Sequence, residues 1–184
     1  MAKRTRTVVA MAVAGILGIA RSTAAEGTMP PLESASSTLH LRWDSAVIGA
    51  AIHDAFERSR TFREMVTAIN ASDSYVMISV GHCGHGVRAC FVSVRSAGPN
   101  RYMFVRVDPG KHDCELMASI GHELRHTLEV IAEPAVRSDA EKFFFYNRRG
   151  LHMAGGAQET LTARDAGNAV RSEIEHFNRQ SHLQ

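Results

Sequence analysis

The 184 residues are enough for one domain with its own core, and 45% hydrophobic with 22% charged residues is the balance of a globular chain, not of a disordered or fibrous one. The formal charge of +2 is unevenly spread: Lys3, Arg4, Arg6 and Arg21 lie in the first 25 residues, which hold no acid, so without those four cations the remainder carries −2. Such a remainder has no basic footprint for nucleic acid.

The basic head is followed by "TVVAMAVAGILGIA" and then by "STAAEG". Basic residues, a short apolar run and small residues, in that order, form the pattern of a secretory signal peptide (1–25), with cleavage expected near Ala25. The apolar run is short for a bilayer span; an uncleaved N-terminal anchor is the alternative. The expected product is exported, periplasmic or extracellular, with no membrane attachment once processed. Residues 26–43, with Gly27, Pro30, Pro31 and several serines, read as a flexible lead-in, and 44–184 as a single domain.

Apolar residues recur at helical spacing from Ala46 to Ile69, as one bent helix or two short ones ending near Asn70. "YVMISV", "RACFVSVR" and "RYMFVRVD" are rich in β-branched and aromatic residues and are separated by "GHCGHG" and "SAGPN", both turn compositions. They predict a small antiparallel meander. A helix is expected from about Asp113 to Ala132, stopped by Glu133-Pro134. "AVRSDAEKFFFYNRRG" predicts a further helix, "LHMAGGAQ" a loop, and Glu159 to Phe177 a last helix. Helices, then strands, then helices point to an α+β domain. An oxidising compartment allows one disulfide among Cys83, Cys90 and Cys114. Cys83–Cys90 is the first choice, across a short loop, with Cys90–Cys114 also possible.

The chemistry centres on "SIGHELRHTLEV", residues 119–130. Leu116, Ile120, Leu124, Leu128 and Ile131 make an apolar stripe, and His122 and His126 lie opposite it. The plain reading is an amphipathic helix with its polar side in water. The functional reading starts from spacing: imidazoles at i and i+4 share a face and can meet one metal ion. Glu123, one step round, sits where it can take a proton from water at the metal's open position.

Two histidines need a third protein ligand. Glu129 is about 10 Å along the axis from His122 at 1.5 Å per residue, which suits a hydrogen bond to a ligand histidine better than ligation. Glu159 heads a helix face otherwise formed by Ala163, Ala166, Val170, Ile174 and Phe177, and an inward carboxylate wants a partner or a metal. His82, Cys83 and His85 offer a soft metal patch, outweighed by turn composition. Tyr146 and His152 are further polar groups that could steady an oxyanion.

The HELRH motif, the strands before it and the helices after it resemble the zincin metallopeptidases, over about residues 75–178. Ile120, Leu124, Thr127 and Leu128 fit the longer zincin signature; Arg125 departs from it, because that position is usually uncharged. "SRTFREMVTAINASDSYVMI", "IGHELRHTLEV" and "QETLTARDAGNAV" also look like a group of poorly characterised bacterial exported proteins carrying this motif. The resemblance implies a zincin-like fold, zinc held by His122, His126 and a glutamate from a later helix, a layout that Glu159 matches, and Glu123 as the base in hydrolysis of a peptide or protein substrate. "RYMFVRVD" would then lie above the cleft and pair with the substrate backbone. The competing expectation is a non-catalytic secreted domain whose zinc site is structural or vestigial.

Overall fold

The computed structural model describes residues 39–84, 86–149, 151–152, 158–181 and 183. The expected signal peptide, the lead-in as far as residue 38, His85, the 153–157 stretch and the side chain of His152 lie outside the described residues. The element order is β1 (Leu41–Trp43), α1 (Ala46–Arg58), α2 (Arg60–Asn70), β2 (Ser74–Val80), β3 (Ala89–Ala97), β4 (Asn100–Val107), α3 (Cys114–Ile131), α4 (Asp139–Arg149), β5 (Leu151–His152), β6 (Gln158–Glu159) and α5 (Leu161–Ser181). Among the described residues this is an α+β chain of five helices and a four-stranded mixed sheet, with β5 and β6 as a separate two-residue pair. No helix of the described residues is long and apolar enough to cross a membrane.

Ser59 decides between one bent helix and two. Its extended backbone (φ −124°, ψ 122°) ends α1, and its side chain accepts the Phe62 N–H at 3.1 Å to cap α2. The same hydroxyl donates to Glu173 of α5 at 2.5 Å, and Glu173 also accepts from the N–H and hydroxyl of Thr61 at 3.0 and 2.8 Å. A carboxylate at a helix N-terminus answers its unpaired N–H groups and its dipole.

The expected antiparallel meander is corrected: the strand order is β1-β2-β4-β3, with β1–β2 and β2–β4 parallel and only β3–β4 antiparallel. The 81–88 connection carries the chain past the position that β4 then fills. Burial explains the choice. Met103, Val105 and Val107 give β4 a fully buried face, whereas β3 carries Arg95 and Ser96 on exposed positions, which suits an edge. Period-2 alternation reads the same for either pairing. A second correction concerns the lead-in, whose last residues, Leu41–Trp43, form the opposite edge strand with Leu41 buried.

Helices α1, α2 and α3 cover one face of the sheet, and α5 packs on α3, α2 and α1. The buried guanidinium of Arg101 in β4 fixes α3 lengthwise. It donates to the carbonyls of Val130 (3.0 Å), Ile131 (2.9 Å) and Glu133 (3.0 Å) where α3 stops, the first and last of which also accept the N–H groups of Glu133 and Val136 at 3.0 Å. At the other end Asp113 caps the helix, accepting from Leu116 N–H at 3.0 Å, and is itself held by Arg88 at 2.6 Å. Cys83 and Cys90 are joined, with Cα atoms 5.8 Å apart, and Cys114 is free. The disulfide closes the β2–β3 connection.

Candidate metal centre

The polar side of α3 is not in water. With the sheet on one side and α5 on the other, Glu123 and His126 are buried (8% and 5% exposed) and Thr127 is fully so. The amphipathic-surface reading therefore fails at this helix. Glycines make the close approach possible. A Cβ at Gly121 would sit 2.9 Å from Val170, and one at Gly167 would sit 3.2 Å from Cβ of His122 and 3.3 Å from the Ala118 carbonyl.

That approach brings His122, His126 and Glu159 together. Their ligand atoms all lie within 4.8 Å of one another, and this group could hold a metal ion. Nε2 of His122 is 3.4 Å from Oε2 of Glu159, and Nε2 of His126 is 3.6 Å from Oε1. Ligands about 2.05 Å from a tetrahedral ion stand roughly 3.3 Å apart, close to both imidazole–carboxylate distances, so the donor set suits a small divalent cation. Glu123 lies beside the group, with Oε1 3.9 Å from Nε2 of His122.

Glu159 reaches the group by a route the sequence reading did not give. It ends β6, ahead of α5. Thr160 caps the helix, its hydroxyl accepting the Ala163 N–H at 3.1 Å, while its own N–H donates to Oε1 of Glu159 at 2.8 Å. Glu129 stands behind His126, not in the ligand group. Its Oε2 is 3.1 Å from Nδ1 of His126, and its Oε1 accepts from Thr160 (2.7 Å) and from the Thr162 hydroxyl. Held at Nδ1, His126 turns Nε2 toward Glu159, the usual way a carboxylate orients a ligand imidazole.

The electrostatics suit a cation. Burial pushes the Glu123 carboxyl up to about 7, against the pull of His126 and a backbone hydrogen bond from Phe91. Burial works against charge on His126, but its hydrogen bonds to Glu129 and Glu159 prevail and raise it to about 9. Burial likewise opposes ionisation of Glu129, yet His126, Thr162 and Thr160 hold it at about 2. His122 is lowered by burial, and Glu159 is lowered despite burial by its bond to His126. An ion binding here displaces the His126 proton, because an imidazole ligates only when neutral.

The other sequence candidates go elsewhere. The Tyr146 hydroxyl donates to the backbone carbonyl of His126 at 2.9 Å, so it braces α3. His82 pairs with Asp108 at 3.1 Å, and Cys83 is in the disulfide and has no thiolate to offer. Arg125, the residue out of keeping with the signature, lines a different cavity with Leu128 and Thr162. Pairing of a substrate with "RYMFVRVD" is corrected too: β4 is bonded on both sides and has no free edge. The free edge beside the site belongs to β3. The Arg88 carbonyl accepts from Asp108, so the Ala89 peptide groups face away from β4, although Ala89 itself is buried. Further along, Asp139 takes the Val94 N–H at 2.8 Å, and Lys142 donates to the carbonyls of Phe91 (3.1 Å) and Val92 (2.6 Å).

A cleft of about 350 Å³ opens onto His122, Glu123 and Glu159, walled by the Gly86–Ala89 segment and by α5. The sequence reading missed Gly167, Thr160 and Thr162; only the "ETLT" stretch, with hydroxyls three residues before an apolar stripe, hinted at a cap. No family model matches the chain, and neither a curated protein nor a solved structure is significantly similar to it.

Proposed function

We propose that this chain is an exported zinc-dependent peptidase of zincin type, acting on a peptide or protein substrate. The observation that carries the reading is the convergence of His122, His126 and Glu159 with a buried Glu123 beside them at the floor of an open cleft. Two imidazoles and one carboxylate with a position open to solvent form the ligand set of hydrolytic zinc sites. When bound, zinc supplies Lewis acidity, polarising a carbonyl oxygen and making water more nucleophilic at neutral pH.

The chain's own residues do the rest. Glu123, its carboxyl raised to about 7, can accept the proton of the attacking water and return it to the leaving amine. Glu129 fixes the tautomer of His126, and Thr160 and Thr162 fix Glu129. Export rests on the order of basic head, apolar run and small residues, and the Cys83–Cys90 disulfide is in keeping with an oxidising compartment.

One observation favours the alternative, a secreted binding domain with a structural or vestigial zinc site: Asp139 and Lys142 already occupy the β3 edge from Phe91 to Val94, leaving little strand for a substrate. The experiment is zinc stoichiometry of the mature chain beside cleavage of an unbiased peptide library, repeated with Glu123→Gln. Zinc bound by both proteins and hydrolysis by the parent alone supports the peptidase. Zinc in both with no cleavage by either selects the binding domain, and no zinc in the parent removes both.

A further inference from the structure

Three arginines line the cleft: Arg88, Arg164 and Arg171. Two of them are spoken for. Arg88 holds Asp113 at 2.6 Å and donates to the carbonyls of Pro109 and Lys111. Arg171 meets Glu115 through Nε (2.6 Å) and a second nitrogen (2.8 Å), and also reaches Asn168 at 2.9 Å. Arg164 is different. It is exposed, and its side chain has no hydrogen-bond or ion-pair partner among the described residues.

Its position is set by the helix. Arg164, Asn168 and Arg171 follow one another at steps of four and three, so they share the face of α5 that looks into the cleft. Gly167 lies within that face, against His122, so the stripe runs directly past the metal-binding group. The acids of the cleft, Glu123 and Glu159, are turned to the histidines. A guanidinium in the same cleft, with no counter-ion among the described residues, presents a planar pair of donors to whatever enters.

We infer that Arg164 determines specificity, by selecting substrates that carry a carboxylate beside the bond presented to His122, His126 and Glu159. The inference rests on the peptidase reading for its substrate class, since a peptide's anions are carboxylates. Guanidinium and carboxylate match in a two-point fork, which fixes position as well as charge. The carboxylate has two sources in a peptide, an Asp or Glu side chain and the C-terminus. The cleft is at the small end of ligand sites and admits a short stretch of chain, so either is within reach of Arg164.

The test reads binding, so it does not depend on turnover. The probes are fluorescent peptides that differ only at one residue or at the end: an internal Glu with an amidated C-terminus, the same with Gln, and the Gln peptide with a free C-terminus. They are titrated against the Glu123→Gln protein, which keeps the ligands, with zinc and with chelator. At least one carboxylate peptide should bind about 10-fold tighter than the neutral one, the worth of one charge-assisted hydrogen bond. Arg164→Gln should abolish that preference and Arg164→Lys should keep part of it. Arg148→Gln, which removes an exposed charge outside the cleft, should change nothing. The two carboxylate arms tell a side chain from a chain end. Equal binding of all three peptides, no binding of any, or a preference surviving Arg164→Gln overturns the inference. The two readings fail separately. A carboxylate preference with no hydrolysis when Glu123 is intact leaves Arg164 in its role and removes the peptidase; hydrolysis indifferent to carboxylates does the reverse.

Discussion

Gly167→Ala pits helix propensity against the geometry of the candidate metal centre. In mid-helix an alanine is worth about 1 kcal/mol over glycine, because it loses less backbone entropy. Here the new methyl would stand 3.2 Å from Cβ of His122, 3.3 Å from the Ala118 carbonyl and 3.6 Å from Nδ1 of His122. Two of these neighbours are the backbone and first side-chain carbon of α3, which cannot swing away, so α3 and α5 must part by a few tenths of an ångström. Overpacking of this kind costs about 1–3 kcal/mol. The sum leaves stability between unchanged and about 2 kcal/mol lower. Metal binding should suffer more. His122 is displaced relative to Glu159, now 3.4 Å from its Nε2, and metal sites tolerate shifts of only about 0.2 Å in ligand distance. A loss of roughly 10–100-fold in zinc affinity is expected, the size of effect seen when a ligand's support is disturbed. Denaturant unfolding in chelator gives the first quantity and competition against a chromophoric chelator gives the second. An alanine protein that is more stable and binds zinc as tightly as the parent would refute the view that the α3–α5 approach seats His122.

Glu159→Gln should abolish zinc binding, whereas Glu129→Gln should weaken it by about 10–100-fold, because the one removes a ligand and the other only the partner of His126 Nδ1; the opposite ranking in the same titration exchanges their roles. Arg101→Met should cost about 1–3 kcal/mol in denaturant unfolding, since it takes the donor from the Ile131 carbonyl and a second hydrogen bond from those of Val130 and Glu133, which keep backbone donors; a cost under about 0.5 kcal/mol would mean that water replaces the guanidinium. Glu173 is lowered from the ordinary 4.5, burial being outweighed by hydrogen bonds from Ser59 and Thr61. A depressed folded pKa stabilises above the unfolded value and is lost as the pH falls through the folded one, so the parent should lose stability on acidification below about pH 4.5 by more than Glu173→Gln does. Parallel stability–pH curves for the two proteins would sink that assignment.

The local pattern was legible because it obeys local rules. Stripes at helical period located α1 to α3, and the i, i+4 spacing of His122 and His126 with Glu123 between them marked one helix face whatever packs around it. The turn composition about Cys83 and Cys90 brought those thiols within reach of each other. What the sequence left open was settled by contacts between distant residues. Alternation along β2 and β4 is identical for parallel and antiparallel partners, so the mixed sheet followed only from which strand best fills the centre. The same pattern on α3 read as a wet side until α5 covered it, and α5 could come so near only because Gly121 and Gly167 lack side chains. Axial distance along α3 already set Glu129 apart as a partner for a histidine, and the apolar face that follows Glu159 already turned that carboxylate inward. What no local rule reaches is how residue 159 comes across to α3: Thr160, Thr162 and the start of α5 bring it there, by contacts that span 31 and 33 residues.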